Sequence, residues 1–316
     1  MRSYLTNLLL FALFALPAYA VFIILAGSIS PFSQHRNIKY ARGGYGHLYN
    51  RLQEADTTGK VDILFLGSSH AYRGFDPRIF SKAGYSSFNL GSSSQTPIQT
   101  KILYERYIDR LSPKLIVFDI FPNTFNTEGV ESFLNLLSNA PLGHDLVMAA
   151  IQSRHATVWN TTILSAWRTL IGANDGFKEP LYRANDKDLY VPGGYVEKGA
   201  SEFKPADKKI TFKWSPPENQ WQAFLDILLA SERRGIPVIL VQTPVTGQYQ
   251  YAPEDRMELE RLLSPLADAH LDLSDALHGN EADLFYDGHH MNQNGVEQFN
   301  ALFLDSLAAH GFIPLP

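Results

Sequence analysis

Three short runs of consecutive apolar residues punctuate the chain: Asp62-Ile63-Leu64-Phe65-Leu66-Gly67, Leu115-Ile116-Val117-Phe118-Asp119 and Pro237-Val238-Ile239-Leu240-Val241. None alternates with polar positions. Apolar runs of this length suit strands covered on both faces, which is the condition of a parallel sheet between two helical layers. Ser87-Phe88-Asn89-Leu90 and Leu271-Asp272-Leu273 read as two weaker strands. Between these runs the spacing turns helical. Thr96-Pro97 opens one helix with proline at the first helical position, and the pattern continues to about Arg110. Ser215 to Arg234 predicts another, closed by Gly235 and leading into the third strong strand. Val296, Phe299, Phe303 and Leu307 mark one face of a last helix, with Asn292 placed to cap it. Strands alternating with helices predict a three-layer α/β/α domain with a parallel, doubly wound sheet.

Two stretches break this rhythm. From Leu8 to Gly27 the chain is uncharged and almost wholly apolar, interrupted by Pro17. A bilayer core needs about 20 such residues as helix. Ala18-Tyr19-Ala20 resembles a signal cleavage site, but Val21-Phe22-Ile23-Ile24-Leu25 extends the run beyond a typical signal core. The expectation is an uncleaved single-pass anchor over residues 1–28, with a cleaved signal as the alternative. Residues 29–60 read as a juxtamembrane connector. Arg2 flanks the helix on one side and Arg36, Lys39 and Arg42 on the other, so the charge count does not favour an exported C-terminal part. A lone N-terminal anchor nonetheless usually acts as an uncleaved signal. The expected location is therefore a bacterial-type cytoplasmic membrane with the C-terminal part outside. The second stretch is 124–214, read as an insertion in the domain 61–316. Its first half, Gly129 to Gly172, looks helical; the rest, to Trp214, is polar.

Composition narrows the chemistry. The net charge is -5 with no basic excess, so no nucleic-acid partner is expected. There are no cysteines, which removes disulfides, thiolate metal sites and cysteine nucleophiles together.

Gly67-Ser68-Ser69-His70 falls where the first strong strand ends, and open parallel sheets bind ligands beyond the carboxyl ends of their strands. A serine hydroxyl needs a base to become a nucleophile. The candidate base lies far away, in Tyr286-Asp287-Gly288-His289-His290-Met291-Asn292 before the last helix. Asp287 and His290 are three residues apart. In a tight loop a carboxylate can then accept from one imidazole nitrogen while the other faces a serine. Each piece alone has a plain structural use, as a turn and as a capping loop; their joint placement at loop ends of one sheet makes the case. Ser69 Oγ is therefore expected within hydrogen-bond reach of a His290 ring nitrogen.

The segment from Ile63 through Ala71 resembles the first block of SGNH (GDSL-like) hydrolases, with the serine two positions after glycine as nucleophile. Asp287 through Gly295 resembles their final Asp-x-x-His block. The resemblance implies a flavodoxin-like sheet of the SGNH type and a triad of Ser69, Asp287 and His290. It implies an oxyanion hole from the backbone N–H groups of Ser69 and Gly91, the latter in Phe88-Asn89-Leu90-Gly91. The sequence departs from the family pattern twice. Ser68 stands where an aspartate is usual, and no Gly-x-Asn-Asp block is visible. Asp119-Ile120-Phe121-Pro122-Asn123 occupies its place, leaving Asn123 as a third oxyanion donor or merely a turn residue. These departures resemble the membrane-tethered branch concerned with cell-envelope acylation. The implied function is an esterase, or an acyltransferase, acting on acylated carbohydrate or another small ester. Partner proteins of an envelope complex are also implied, and a non-catalytic binding or scaffolding role is the alternative. No cofactor is expected. His278, Asp287, His289 and His290 lack the same-face helical spacing of a zinc site. Arg73 and Asp76 lie near enough to touch a substrate, although Asp76-Pro77 also makes a good helix start. Trp159, Trp167, Trp214 and Trp221 are expected in packing, with sugar stacking as the other use.

Overall fold

The computed structural model describes residues 2–29, 36–199, 203–204, 210–212, 214–251 and 253–313. The chain divides into two compact units, Met1–Gly44 with Phe133–Lys178, and Tyr45–Ser132 with Glu179–Pro316. In chain order the helices are α1 (Arg2–Ser28), α2 (Leu48–Ala55), α3 (Ser69–Gly74), α4 (Pro77–Lys82), α5 (Pro97–Leu111), α6 (Pro122–Phe125), α7 (Val130–Asn139), α8 (His144–Gln152), α9 (Ala156–Leu170), α10 (Glu218–Arg233), α11 (Pro253–Leu263), α12 (Glu281–Leu284) and α13 (Gln293–Ala309). The strands are β1 (Ile63–Leu66), β2 (Ser87–Asn89), β3 (Leu115–Asp119), β4 (Tyr182–Arg183), β5 (Asp188–Val191), β6 (Tyr195–Lys198), β7 (Ile210–Phe212), β8 (Val238–Gln242), β9 (Tyr249–Tyr251) and β10 (Ala269–Asp272).

The larger unit is built on a five-stranded sheet in the order β10-β8-β3-β1-β2, every pair parallel. The three strong apolar runs are its central strands, and each residue of β1, β3 and β8 is buried. Alternate side chains feed two cores, as the pleat requires. Ile63, Phe65, Val117, Ile239 and Val241 pack with Phe75, Phe80, Val296, Phe299 and Phe303 on one face. On the other, Phe118 meets Phe224 of α10 edge-on at 5.2 Å. Phe75 and Phe65 are stacked at 4.3 Å, which ties the end of α3 to the sheet. Fully burying aromatic side chains of this kind stabilises by about 1.5–3 kcal/mol each. The strand order places the chain's reversal between β1 and β3: after β1 it goes outward to β2, then crosses back to β3 on the other side. Loops leaving such neighbours diverge and open a crevice at the carboxyl edge.

Capping follows the residues read from the sequence. The carboxylate of Asp76 accepts from Arg78 N at 2.9 Å and starts α4. Thr96 and Gln99 form a capping box at α5, and Asn292 Oδ1 accepts from Gly295 N at 3.1 Å at α13. Residues 29–60, expected as connector, contain α2, whose Leu48 and Leu52 are fully buried.

The stretch expected as one insertion at 124–214 is divided. Phe133–Lys178, containing α8, α9 and most of α7, groups with α1 in the smaller unit, while the polar remainder belongs to the larger one. There β4, β5 and β6 make an antiparallel sheet, and β7 pairs in parallel with β9. The short strands β5 and β6 alternate too briefly to stand out in the sequence. In the smaller unit α1 is long and apolar enough to cross a membrane, and it is largely exposed. Ile23 and Gly27, one turn apart, are the buried positions near its end. A Cβ at Gly27 would lie 2.6 Å from Leu164 Cδ2 of α9, so glycine permits this close approach. Tyr19 Oη donates to Asn160 Oδ1 at 2.7 Å.

Candidate active site

Ser69 is the first residue of α3, directly beyond β1. Gly67 makes the turn possible: its φ is +138°, and a Cβ there would lie 2.9 Å from Asp119 Cβ at the end of β3. Gly91, beyond β2, is equally hemmed in, since a Cβ would lie 2.6 Å from the Ser68 carbonyl oxygen. The ends of three adjacent strands thus meet backbone to backbone around the serine. Ser68 caps α3, its Oγ accepting from His70 N at 3.4 Å. As the first helical residue, Ser69 has a backbone N–H among those with no partner within the helix.

The facing group is a tight hairpin. Phe285 and Met291 form an antiparallel bridge, and Tyr286 N donates to the His290 carbonyl at 3.1 Å. Asp287 sits within the turn and organises it: Oδ1 accepts from the backbone N–H of His289 at 3.0 Å and of His290 at 2.8 Å. The His290 ring closes the arrangement. Nδ1 lies 2.8 Å from Asp287 Oδ2, and Nε2 lies 2.8 Å from Ser69 Oγ. The network assigns the tautomer: the carboxylate can only accept, so Nδ1 carries the proton and donates to it, leaving the Nε2 lone pair toward the serine hydroxyl. Outside the turn, Thr246 Oγ1 donates to the Gly288 carbonyl at 2.6 Å. The Tyr249 ring lies against Gly288 so closely that a Cβ there would collide with it.

The electrostatics keep these groups in different states. Burial works against the charge on Asp287, but hydrogen bonds and the field of His290 and His289 outweigh it and hold its pKa below the usual carboxylate range. Burial lowers His289 to about 3, with help from the neighbouring His290. His70, fully enclosed, is lowered well below the ordinary imidazole value for the same reason. Beneath the serine turn, burial raises Asp119 from 3.8 to about 7. That shift prevails although the carboxylate accepts backbone bonds from Ser68 and Thr243 and the Thr243 hydroxyl at 3.0 Å. Asp119 therefore joins the turn after β1 to the end of β8.

His290 is also held from behind. The Tyr286 ring is parallel to it within 3°, centroids 5.5 Å apart. The Arg73 guanidinium and the Lys198 ammonium lie 5.7 and 5.3 Å from the Tyr286 ring centroid. Both cations share Asp188 of β5, Arg73 through two bonds of 2.7 and 3.1 Å and Lys198 at 3.2 Å. The polar half of the stretch 124–214 thereby supplies a brace for the hairpin.

The structure brings Ser69, Asp287 and His290 together and places Gly91 beside them, its N–H donating weakly to Asn89 Oδ1 at 3.3 Å. Asn123 lies on α6, just beyond β3, with its side chain exposed. Asp76 is engaged in capping α4 and in pairing Arg78 at 2.6 Å. His278 stands apart from the other histidines, its Nε2 3.2 Å from the Val245 carbonyl. Trp214 and Trp221 pack on Phe125 and Phe224, as aromatic residues beside a core do. Tyr286 and the Asp188 pair carry no sequence signal of their own, and the role of Asp119 was not signalled. The acid at the end of an apolar run was visible, but its partners come from other strands.

No family model matches the chain, and no curated protein matches it. Among solved structures it is similar to a "putative acylhydrolase" from Bacteroides fragilis NCTC 9343, at 13% identity and a TM-score of 0.39, over 82% of this chain and 94% of that one. It is also similar to a GDSL-like lipase from Bacteroides thetaiotaomicron VPI-5482, at 12% identity and a TM-score of 0.36, over 84% and 98% of the two chains. At this distance neither likeness bears on function, and the chemistry rests on the site itself.

Proposed function

We propose that the protein is a serine esterase or acyltransferase working through an acyl-enzyme on Ser69. The observation that carries this reading is the continuous relay from Asp287 through His290 to Ser69, with both links at 2.8 Å, at the carboxyl edge of the parallel sheet. His290 Nε2 takes the hydroxyl proton as Ser69 Oγ attacks an ester carbonyl. Asp287 stays ionised, fixes the tautomer and stabilises the imidazolium. The new Oγ–acyl bond forms, the ester C–O bond breaks, and the proton passes from Nε2 to the departing alcohol. Water or a sugar hydroxyl then enters by the reverse route and frees Ser69. The N–H groups of Ser69 and Gly91 are the oxyanion donors in this scheme, with Asn123 as a third.

The acyl group is assigned to carbohydrate of the cell envelope, in a single-pass protein whose catalytic part lies outside the cytoplasmic membrane. The length and apolar character of α1 support the tether, and the two sequence blocks resembling SGNH hydrolases support the ester chemistry. The test is covalent labelling with a fluorophosphonate probe, alongside hydrolysis of p-nitrophenyl acetate and acetylated sugars. Wild type should label stoichiometrically, while Ser69→Ala should not label and should lose about 10³-fold or more of its turnover. Equal labelling of the two proteins, or none of wild type, rejects the nucleophile. The latter outcome would leave the binding or scaffolding role.

A further inference from the structure

The catalytic hairpin carries two adjacent histidines, and the acyl-transfer scheme uses one. The other, His289, has its Nδ1 2.9 Å from His70 Nε2 on α3. With His290, these residues offer three ring nitrogens that all lie within 4.8 Å of one another. The three imidazoles also line one small cavity of about 10 Å³, together with Met291, Thr243 and Arg73. That space is about the size of a single water-sized guest. Four-coordinate zinc with Zn–N bonds of 2.0–2.1 Å separates its nitrogens by about 3.3 Å, so the cluster needs to close by at most about 1.5 Å.

We propose that His70, His289 and His290 form an inhibitory site for a zinc-class divalent cation. The donor chemistry selects the class. Three imidazoles suit zinc and its transition-metal neighbours, whereas calcium and magnesium need oxygen ligands that the cluster does not offer. His290 already has the outer partner that metal-bound histidines use: Asp287 accepts its Nδ1 proton at 2.8 Å and leaves Nε2 as the ligand atom. On binding, the proton between His70 and His289 moves to the far nitrogen of its ring, freeing both facing lone pairs. The fourth position is left to water or to the Met291 thioether on the same wall. Arg73 borders the cavity, but its charge is turned onto Asp188 by the bidentate pair. A cation held here occupies the lone pair that would take the Ser69 proton, so metal and catalysis exclude one another. This consequence rests on the proposed serine chemistry; the binding itself does not.

The experiment uses tag-free, full-length protein in detergent, stripped of metal. Zinc chloride is titrated by calorimetry, cobalt chloride is followed by visible absorption, and fluorophosphonate labelling is measured with and without zinc. Expected are one zinc per chain with micromolar or tighter affinity and intense cobalt bands of a four-coordinate site. Labelling should fall at least 10-fold with zinc and return with EDTA, and magnesium should do nothing. His289→Gln should weaken zinc binding at least 10-fold and move the labelling block to correspondingly higher zinc. His278→Gln, outside the cluster, should titrate like wild type. His70→Gln repeats the test should His289→Gln fail to fold by circular dichroism. Absence of calorimetric binding, or identical titrations of wild type and the cluster variants, overturns the proposal. If metal-free protein fails to label, the serine reading falls while calorimetry still decides the site.

Discussion

Asp119 shows how a single buried side chain can hold the turn that carries Ser69. Its carboxyl group is fully buried at the end of β3 and fastens the backbone of the Ser69 turn to β8 through Ser68 and Thr243. The same burial raises its pKa from 3.8 to about 7. Between these two values Asp119 keeps in the folded chain a proton that it has released in the unfolded chain, so its contribution to stability falls as pH rises through that window. Asp119→Asn, which cannot ionise, should remove this dependence. From pH 5 to pH 8 wild type should lose roughly 2–3 kcal/mol relative to the variant, measured by urea unfolding at each pH. A difference that does not change with pH, or one that grows in favour of wild type, would contradict the assignment. Asp287 has the opposite character: its lowered pKa keeps it ionised across the same range. His289 and His70, whose lowered pKa values make stability rise with pH over part of this window, are common to both proteins, so the difference between wild type and variant reports Asp119.

Among elements, the hairpin between α12 and α13 is held at several points. It closes through the Phe285–Met291 bridge and the two backbone bonds to Asp287, while Gly288 leaves room for the Tyr249 ring of β9. Gly288→Ala should push the turn from Tyr249 and lengthen the relay from His290 to Ser69. Misplacement of about an ångström in such a relay costs roughly 100-fold in rate. We expect a loss of that order in esterase kcat, with Gly288→Ala/Tyr249→Ala recovering at least 10-fold of it. Equal activity of the single and double variants would show that the ring does not set the turn. The brace from β5 and β6 acts on the same hairpin from the other side, through Arg73, Lys198 and the Tyr286 ring.

For the molecule as a whole, the behaviour to be measured is its attachment. α1 presents exposed Leu9, Phe11, Phe14 and Leu16 among its outer residues, a surface suited to lipid rather than water. Full-length protein should stay with membranes through alkaline carbonate washing and be released by non-ionic detergent. Release by carbonate alone would exclude a spanning helix. Ile23 and Gly27, where α1 packs on α9, are the positions on which polar substitution should disturb the smaller unit itself.

The central strands β1, β3 and β8, the last helix and the two chemical blocks could be read directly from residue order. Their signals are local: an apolar run buried on both faces, a helical period, glycine before serine, and aspartate three residues before histidine. The parallel α/β architecture follows from that alternation, and it is the architecture observed. Other features had no local signature. β5 and β6 are four residues each, within a polar stretch, and owe their stability to pairing and to the contact of their turn with Asn89 of β2. α8 and α9 were legible as helices, but their grouping with α1 depends on side chains such as Leu164 meeting a distant glycine. Sequence alone singled out the serine, histidine and aspartate proposed as nucleophile, base and orienting carboxylate, because chemistry belongs to residue type. Only the tertiary structure decided that Ser69 and His290, 221 positions apart, lie 2.8 Å from one another, and that His70 rather than His278 joins the histidine pair. Such juxtapositions follow from strand order and loop closure, which sum interactions over the whole chain and leave no mark at any one position.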